Sequence, residues 1–107
     1  MAVKIPGIGA AASPVGSPYL GRPVGFQTIT SALSAAVAPT VPVTARYAYF
    51  QADTADVKWT DDGTTPTASV GMTITHAQAP WLYAGKLDAL QFILVSGSPV
   101  LNISYYA

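Results

Sequence analysis

The chain has 107 residues, 9% of them charged, with no Glu, no Cys and a formal net charge of zero. That length allows one domain with an appendage, and the missing cysteines exclude disulfide staples, cysteine-based zinc sites and thiol chemistry. The balanced charge argues against a nucleic-acid binder, which needs a basic face. No apolar run reaches the roughly 18 residues of a transmembrane helix.

The first 25 residues hold four of the nine prolines and five of the nine glycines, and no acidic residue. Proline removes backbone donors and glycine raises the entropy of the unfolded chain, so neither a helix nor a central strand fits residues 1–25. Pro6, Gly7, Gly9 and Ser13 also interrupt the apolar run a signal peptide would need after Lys4, so the protein is expected to be made and assembled in the cytoplasm. The stretch keeps scattered apolar residues, including Ile5, Ile8, Val15, Tyr19 and Leu20, and a plain disordered linker would be more polar. An extended arm that lies in a groove on a neighbour has this composition.

Residues 26–107 read as a β domain of about 80 residues, small enough that its own stability is modest. FQTITSAL gives a first strand, with Phe26, Thr28 and Thr30 on one face and Gln27 and Ile29 on the other. SALSAAVA is a short turn closed by Pro39 and Pro42. VPVTARYAYFQA, Val41 to Ala52, predicts a strand with Val41, Val43, Ala45, Tyr47 and Tyr49 on one face and Thr44, Arg46 and Ala48 on the other. Pro42 belongs at its start or on an edge.

DTAD makes a turn through its side-chain oxygens. VKWT is a short strand with Val57 and Trp59 inward and Lys58 outward. DDGTTPT is the strongest turn signal, because Asp62-Gly63 supplies a positive φ. ASVGMTIT predicts a strand with Ala68, Val70, Met72 and Ile74 inward. HAQAP is a loop, WLYAG a short aromatic strand, and KLD a turn. ALQFILVS is apolar on both faces, which suits the middle of a sandwich or a subunit contact. VLNISYY ends the chain, with Leu101, Ile103 and Tyr105 inward and Asn102, Ser104 and Tyr106 outward. Six to eight short strands without βαβ alternation predict an all-β fold, a small antiparallel β-sandwich or jelly-roll-like barrel carrying an extended N-terminal arm.

No motif for catalysis, cofactor or metal emerges. His76 is the single histidine, and Ser69 and Asp62 lie near it in sequence, but no nucleophile-elbow glycine pattern surrounds any serine. A loop histidine is the simpler reading. Asp53, Asp56, Asp61 and Asp62 lack calcium-loop spacing and read as turn and strand-end carboxylates. Gly7 and Gly9 follow no strand and no Lys-Ser or Lys-Thr follows them, so they are not a phosphate loop. Asn102-Ile103-Ser104 fits the glycosylation pattern by chance, inside a strand and without a secretion signal. The aromatics Tyr47, Tyr49, Trp59, Trp81, Tyr83, Tyr105 and Tyr106 suit a core plus a subunit interface, with sugar binding as the rival use. Tyr106 is the exposed candidate among them.

A typical protein has ~25% charged residues. With 9%, a small monomer carries little to keep it apart from its neighbours, so much of the surface is expected to be covered in an assembly.

From Tyr47 to Met72 the sequence reads YAYFQADTADVKWTDDGTTPTASVGM. It resembles a pattern in small structural proteins of tailed bacteriophages. The residues that carry it are Tyr49, Gln51 and Ala52; Val57, Lys58 and Trp59; Asp61, Asp62 and Gly63; Thr65, Pro66 and Thr67; and Val70, Gly71 and Met72. Leu90-Gln91-Phe92-Ile93 and the ending Leu101 to Tyr106 are similar too, so the likeness covers about residues 28–107. The resemblance implies a non-enzymatic virion protein, of the kind that decorates or cements the head shell. Its partners would be the major capsid protein and copies of itself in a trimer or ring, with no nucleic acid, membrane or cofactor. A neck or tail component that joins parts or attaches fibres is the alternative, and a carbohydrate-binding module a more distant one. Candidate partner-binding residues are Ile5, Ile8, Val15, Tyr19, Leu20, Arg22 and Tyr106, with Lys4 and Arg22 meeting acidic groups.

Overall fold

A computed structural model describes residues 21–107. Ile5, Ile8, Val15, Tyr19 and Leu20, and with them most of the expected arm, lie outside the described residues.

The fold is an antiparallel β-sandwich. Its strands are β1 (Pro23–Ile29), β2 (Tyr47–Asp53), β3 (Val57–Thr60), β4 (Met72–Ile74), β5 (Trp81–Tyr83), β6 (Gln91–Leu94) and β7 (Val100–Tyr106). One sheet has the order β1-β7-β2-β5 and the other β4-β3-β6. Short 3-10 turns at Ser31–Ser34 and Leu87–Ala89 plug the sandwich with Leu33 and Leu87.

The long strand β7 organises the larger sheet. Its alternation puts Leu101, Ile103 and Tyr105 inward, as the sequence predicts, and each is at most 1% exposed. Opposite them in register stand Ala52, Phe50 and Ala48 of β2. Two alanines flanking one Phe leave room for that ring to cross the sandwich. Phe50 meets Phe92 of the second sheet edge-on at 5.3 Å and stacks on Tyr83 at 5.3 Å. Such ring pairs add about 0.5–1.5 kcal/mol beyond the area they bury. Val57, Trp59 and Ile74 complete the second inner face, with Lys58 outward as predicted.

The structure departs from the sequence reading in four places. First, β1 starts at Pro23 rather than Phe26, so Pro23, Val24 and Gly25 are sheet residues and not the end of an arm. Pro23 is tolerated because it opens the strand, where no ladder donor is needed. Next, the strand expected from Val41 begins only at Tyr47. Ala45 N–H donates to Pro42 O at 3.0 Å, closing a turn that leaves Val43 fully exposed. The core face of β2 is therefore Ala48, Phe50 and Ala52, and the face predicted around Tyr47 and Tyr49 points away from the core.

The third difference lies in the β3–β4 connection. Only Met72–Ile74 of the predicted ASVGMTIT strand forms, and Val70 and Met72 are exposed while Ile74 is buried. Thr67 and Val70 exchange backbone hydrogen bonds at 3.0 and 3.2 Å, and Gly71 follows at φ +131°. That conformation breaks the strand, and buried Pro66 anchors the loop instead. Last, ALQFILVS is a strand only over Gln91–Leu94, with Phe92 buried and Ile93 and Val95 half-buried.

Candidate interaction surface

The sandwich leaves the outer face of the four-stranded sheet uncovered among the described residues. Period-two alternation sends alternate side chains of each strand there. In register across the sheet, Phe26 of β1 opposes Ser104 of β7, Ser104 opposes Tyr49 of β2, and Tyr49 opposes Leu82 of β5. Phe26 is 67% exposed and Leu82 44% exposed, at the two ends of this row. Both are large apolar groups, held apart at the two edges of the sheet by Ser104 and Tyr49.

A polar row lies beside it. Thr28 Oγ1 donates to Asn102 Oδ1 at 3.0 Å, and Asn102 Nδ2 donates to Gln51 Oε1 at 3.4 Å. The third row is aromatic. Tyr47 stacks on Tyr106 with centroids 5.9 Å apart, and Tyr49 meets the Tyr106 edge at 5.8 Å. Burial first, then the neighbouring phenols, push the Tyr47 and Tyr49 hydroxyls above the ordinary tyrosine range. They stay neutral at physiological pH. On the strands of this face the only charged side chain is Asp53, at the far end of β2.

Tyr106 needs correction. It does point away from Tyr105, as alternation predicts, but it is only 4% exposed. The rings of Tyr47 and Tyr49 close over it, so it supports the face from beneath and is not itself a contact residue. Arg22 is exposed at the corner of the sheet, where its backbone N–H donates to Ala107 O and Ala107 N–H donates to Arg22 O, both at 2.9 Å. Phe26 and Leu82 were not singled out from the sequence. Alternation against buried Ile29 places Phe26 outward, but only the strand order shows that Leu82 shares its row.

The acidic group serves structure at four separate places. Tyr83 hydroxyl donates to Asp61 Oδ2 at 2.6 Å. Asp62 Oδ1 accepts from Thr64 N–H at 3.0 Å, which closes the Asp-Gly turn. Asp53 ends β2, and Asp56 holds His76. The single oxygen Asp56 Oδ1 meets both His76 N–H at 2.9 Å and His76 Nδ1 at 2.8 Å. These bonds hold the Asp56 carboxyl below the usual carboxylate range. His76 is thus paired with Asp56 and not with Asp62, which serves its own turn; Ser69 N–H likewise donates to Thr67 Oγ1 within the loop. Asp56 and His76 share a shallow cleft with Thr54 and Ser96. Twenty residues separate the pair, and only the β3–β4 register brings them together, so no local sequence signal identifies it.

Among the described residues, no group of three or more His, Cys, Asp or Glu could hold a metal. No helix there is long and apolar enough to cross a membrane. Asn102 is held within the sheet between Thr28 and Gln51. No family model, curated protein or solved structure matches the chain.

Proposed function

We propose that this protein is a non-enzymatic structural component of a tailed-phage virion, a decoration or cement protein of the head shell. The observation that carries the reading is the nearly uncharged outer face of the β1-β7-β2-β5 sheet, with Phe26 and Leu82 exposed in one row. A face of that kind is suited to cover by a neighbour. The chain-wide scarcity of charge, 9%, points the same way. The resemblance over Tyr49 to Met72 supplies the particle as the setting.

In this reading the β domain sits across junctions of the major capsid protein and contacts further copies of itself. Residues 1–20 contribute Ile5, Ile8, Val15, Tyr19 and Leu20 to a neighbour, with Arg22 at the point where they join the sheet. Each apolar side chain so buried supplies on the order of 1.5–3 kcal/mol before ordering costs. Many weak contacts repeated over a shell add up by avidity.

The reading is tested by removal and add-back. Particles made without the protein should break open at lower temperature than complete ones. Purified protein added to them should bind and restore resistance, and the Phe26→Ser/Leu82→Ser protein should not. Particles equally resistant with and without it would refute a cementing role.

A further inference from the structure

We infer that the Phe26–Leu82 face receives residues 1–20 of a second copy of this chain, so that two copies exchange arms. This deepens the proposed function by naming one partner. It rests on reading that face as an assembly surface, but not on the particle.

The first argument is where the arm joins. Gly21 adopts φ +84°, and a Cβ there would lie 2.1 Å from Ala107 O and 2.9 Å from Tyr47 Oη. The chain therefore enters pressed against Tyr47, at one end of the face. Arg22 then locks onto Ala107 through two backbone hydrogen bonds. The position is open only to glycine, and it fixes the arm's root beside the aromatic row.

Reach is the second argument. Twenty residues extend up to roughly 65 Å. A four-stranded sheet is only about 15–20 Å wide. That reach also exceeds the 45 Å longest dimension of the molecule, so the arm can pass beyond its own face to an adjacent copy.

Chemistry is the third. Residues 1–20 carry one charged side chain, Lys4; the strands of the face carry Asp53 at the far end, while Arg22 and Arg46 flank the end where the arm joins. Lys4 and Asp53 are opposite in sign. Pro6, Pro14 and Pro18 favour an extended backbone that has few donors to satisfy, and such segments dock on aromatic-lined surfaces. Because root and receiving face belong to the same side of the molecule, two copies related by a twofold axis can exchange arms reciprocally, in a closed contact.

The test uses full-length protein in sedimentation velocity over a concentration series. The unaltered chain should associate in a concentration-dependent way. Two full-length variants should each weaken association at least about tenfold, the loss of one buried anchor. One alters the face, Phe26→Ser with Leu82→Ser; the other alters the arm, Ile5→Ser, Ile8→Ser and Leu20→Ser. Phe26 and Leu82 are exposed, so circular dichroism should show the same fold in the face variant. The decisive step mixes the two variants. The intact arm of one meets the intact face of the other and restores one of the two contacts, so the mixture should associate more tightly than either variant alone.

Three results would overturn the inference. A full-length chain that stays monomeric at every concentration means the face is covered by its own arm or left empty. An arm variant that associates normally means face meets face directly. Two weakened variants that associate no better on mixing mean arm and face do not meet. If the protein associates as described but is missing from particles, the virion reading fails and this inference stands.

Discussion

Tyr47 and Tyr106 stack with an interplanar angle of 9° across the β2–β7 ladder, where the two residues are register partners. The pair turns the outer face of the larger sheet into an ordered surface. Tyr106 lies beneath and is buried, while Tyr47 remains half-exposed above it. Truncation at Tyr106 should therefore cost stability. Tyr106→Ala is expected to destabilise by about 3 kcal/mol, as for other buried aromatics. Tyr106→Phe keeps the stack and loses only the bond from Ser104 Oγ, and should cost about 1 kcal/mol. Urea denaturation of the two variants checks the difference.

The Asp56–His76 contact predicts an acid dependence. Asp56 is held below the ordinary carboxylate range by its bonds from His76. A group with a depressed native pKa contributes stability above its unfolded pKa and loses it as pH falls through the native value. Melting temperature should thus decline below about pH 4, the unfolded aspartate value. Asp62, held low by Thr64, contributes in the same sense. Asp56→Asn should flatten part of that decline, and an unchanged acid profile would count against the contact.

At the other end of the scale, burial and the Asp61 carboxylate push the Tyr83 hydroxyl up to about 12. Burial alone pushes Tyr105 up to about 12. A raised native pKa contributes stability that is full below the unfolded value near 10 and is lost as pH rises from there toward 12. Alkaline unfolding is expected in that window. Phenolate absorbance should rise together with loss of β-sheet signal, and Tyr83→Phe should shift the transition upward. Phenols that titrate freely in the folded protein would contradict the packing.

Two loop glycines should respond differently to alanine. Gly63 sits at φ +91° with open space where a Cβ would go. Gly71 sits at φ +131°, and a Cβ there would lie 3.0 Å from Trp59 O. Both substitutions carry backbone strain of roughly 1–3 kcal/mol, and Gly71→Ala adds a steric clash with the β3 backbone. Thermal melts should rank Gly71→Ala as the more damaging.

The sequence made the sandwich legible where period-two alternation was unbroken. The alternation of β7 and β3 follows from it directly, while the outward place of Phe26 needs the burial of Ile29 to fix which face is which. It misled where apolar residues alternate in a loop, as at Val41 and Val43, because alternation does not show whether a partner strand exists. It misled again at Val70 and Met72, where Gly71 and the Thr67–Val70 turn override the pattern. The row joining Phe26 to Leu82 and the pairing of Asp56 with His76 are products of strand order and register. Those arise from long-range pairing, which no local window contains.

We propose that the chain is a multi-copy component of a phage particle. Quantitative gel densitometry of purified particles tests it most directly, comparing the 11.0 kDa band with that of the major capsid protein. A decoration or cement protein should be present at a copy number close to that of the capsid protein. A count at a small fraction of it would assign the protein to the neck or tail, and its absence from the particle would rule out a virion protein.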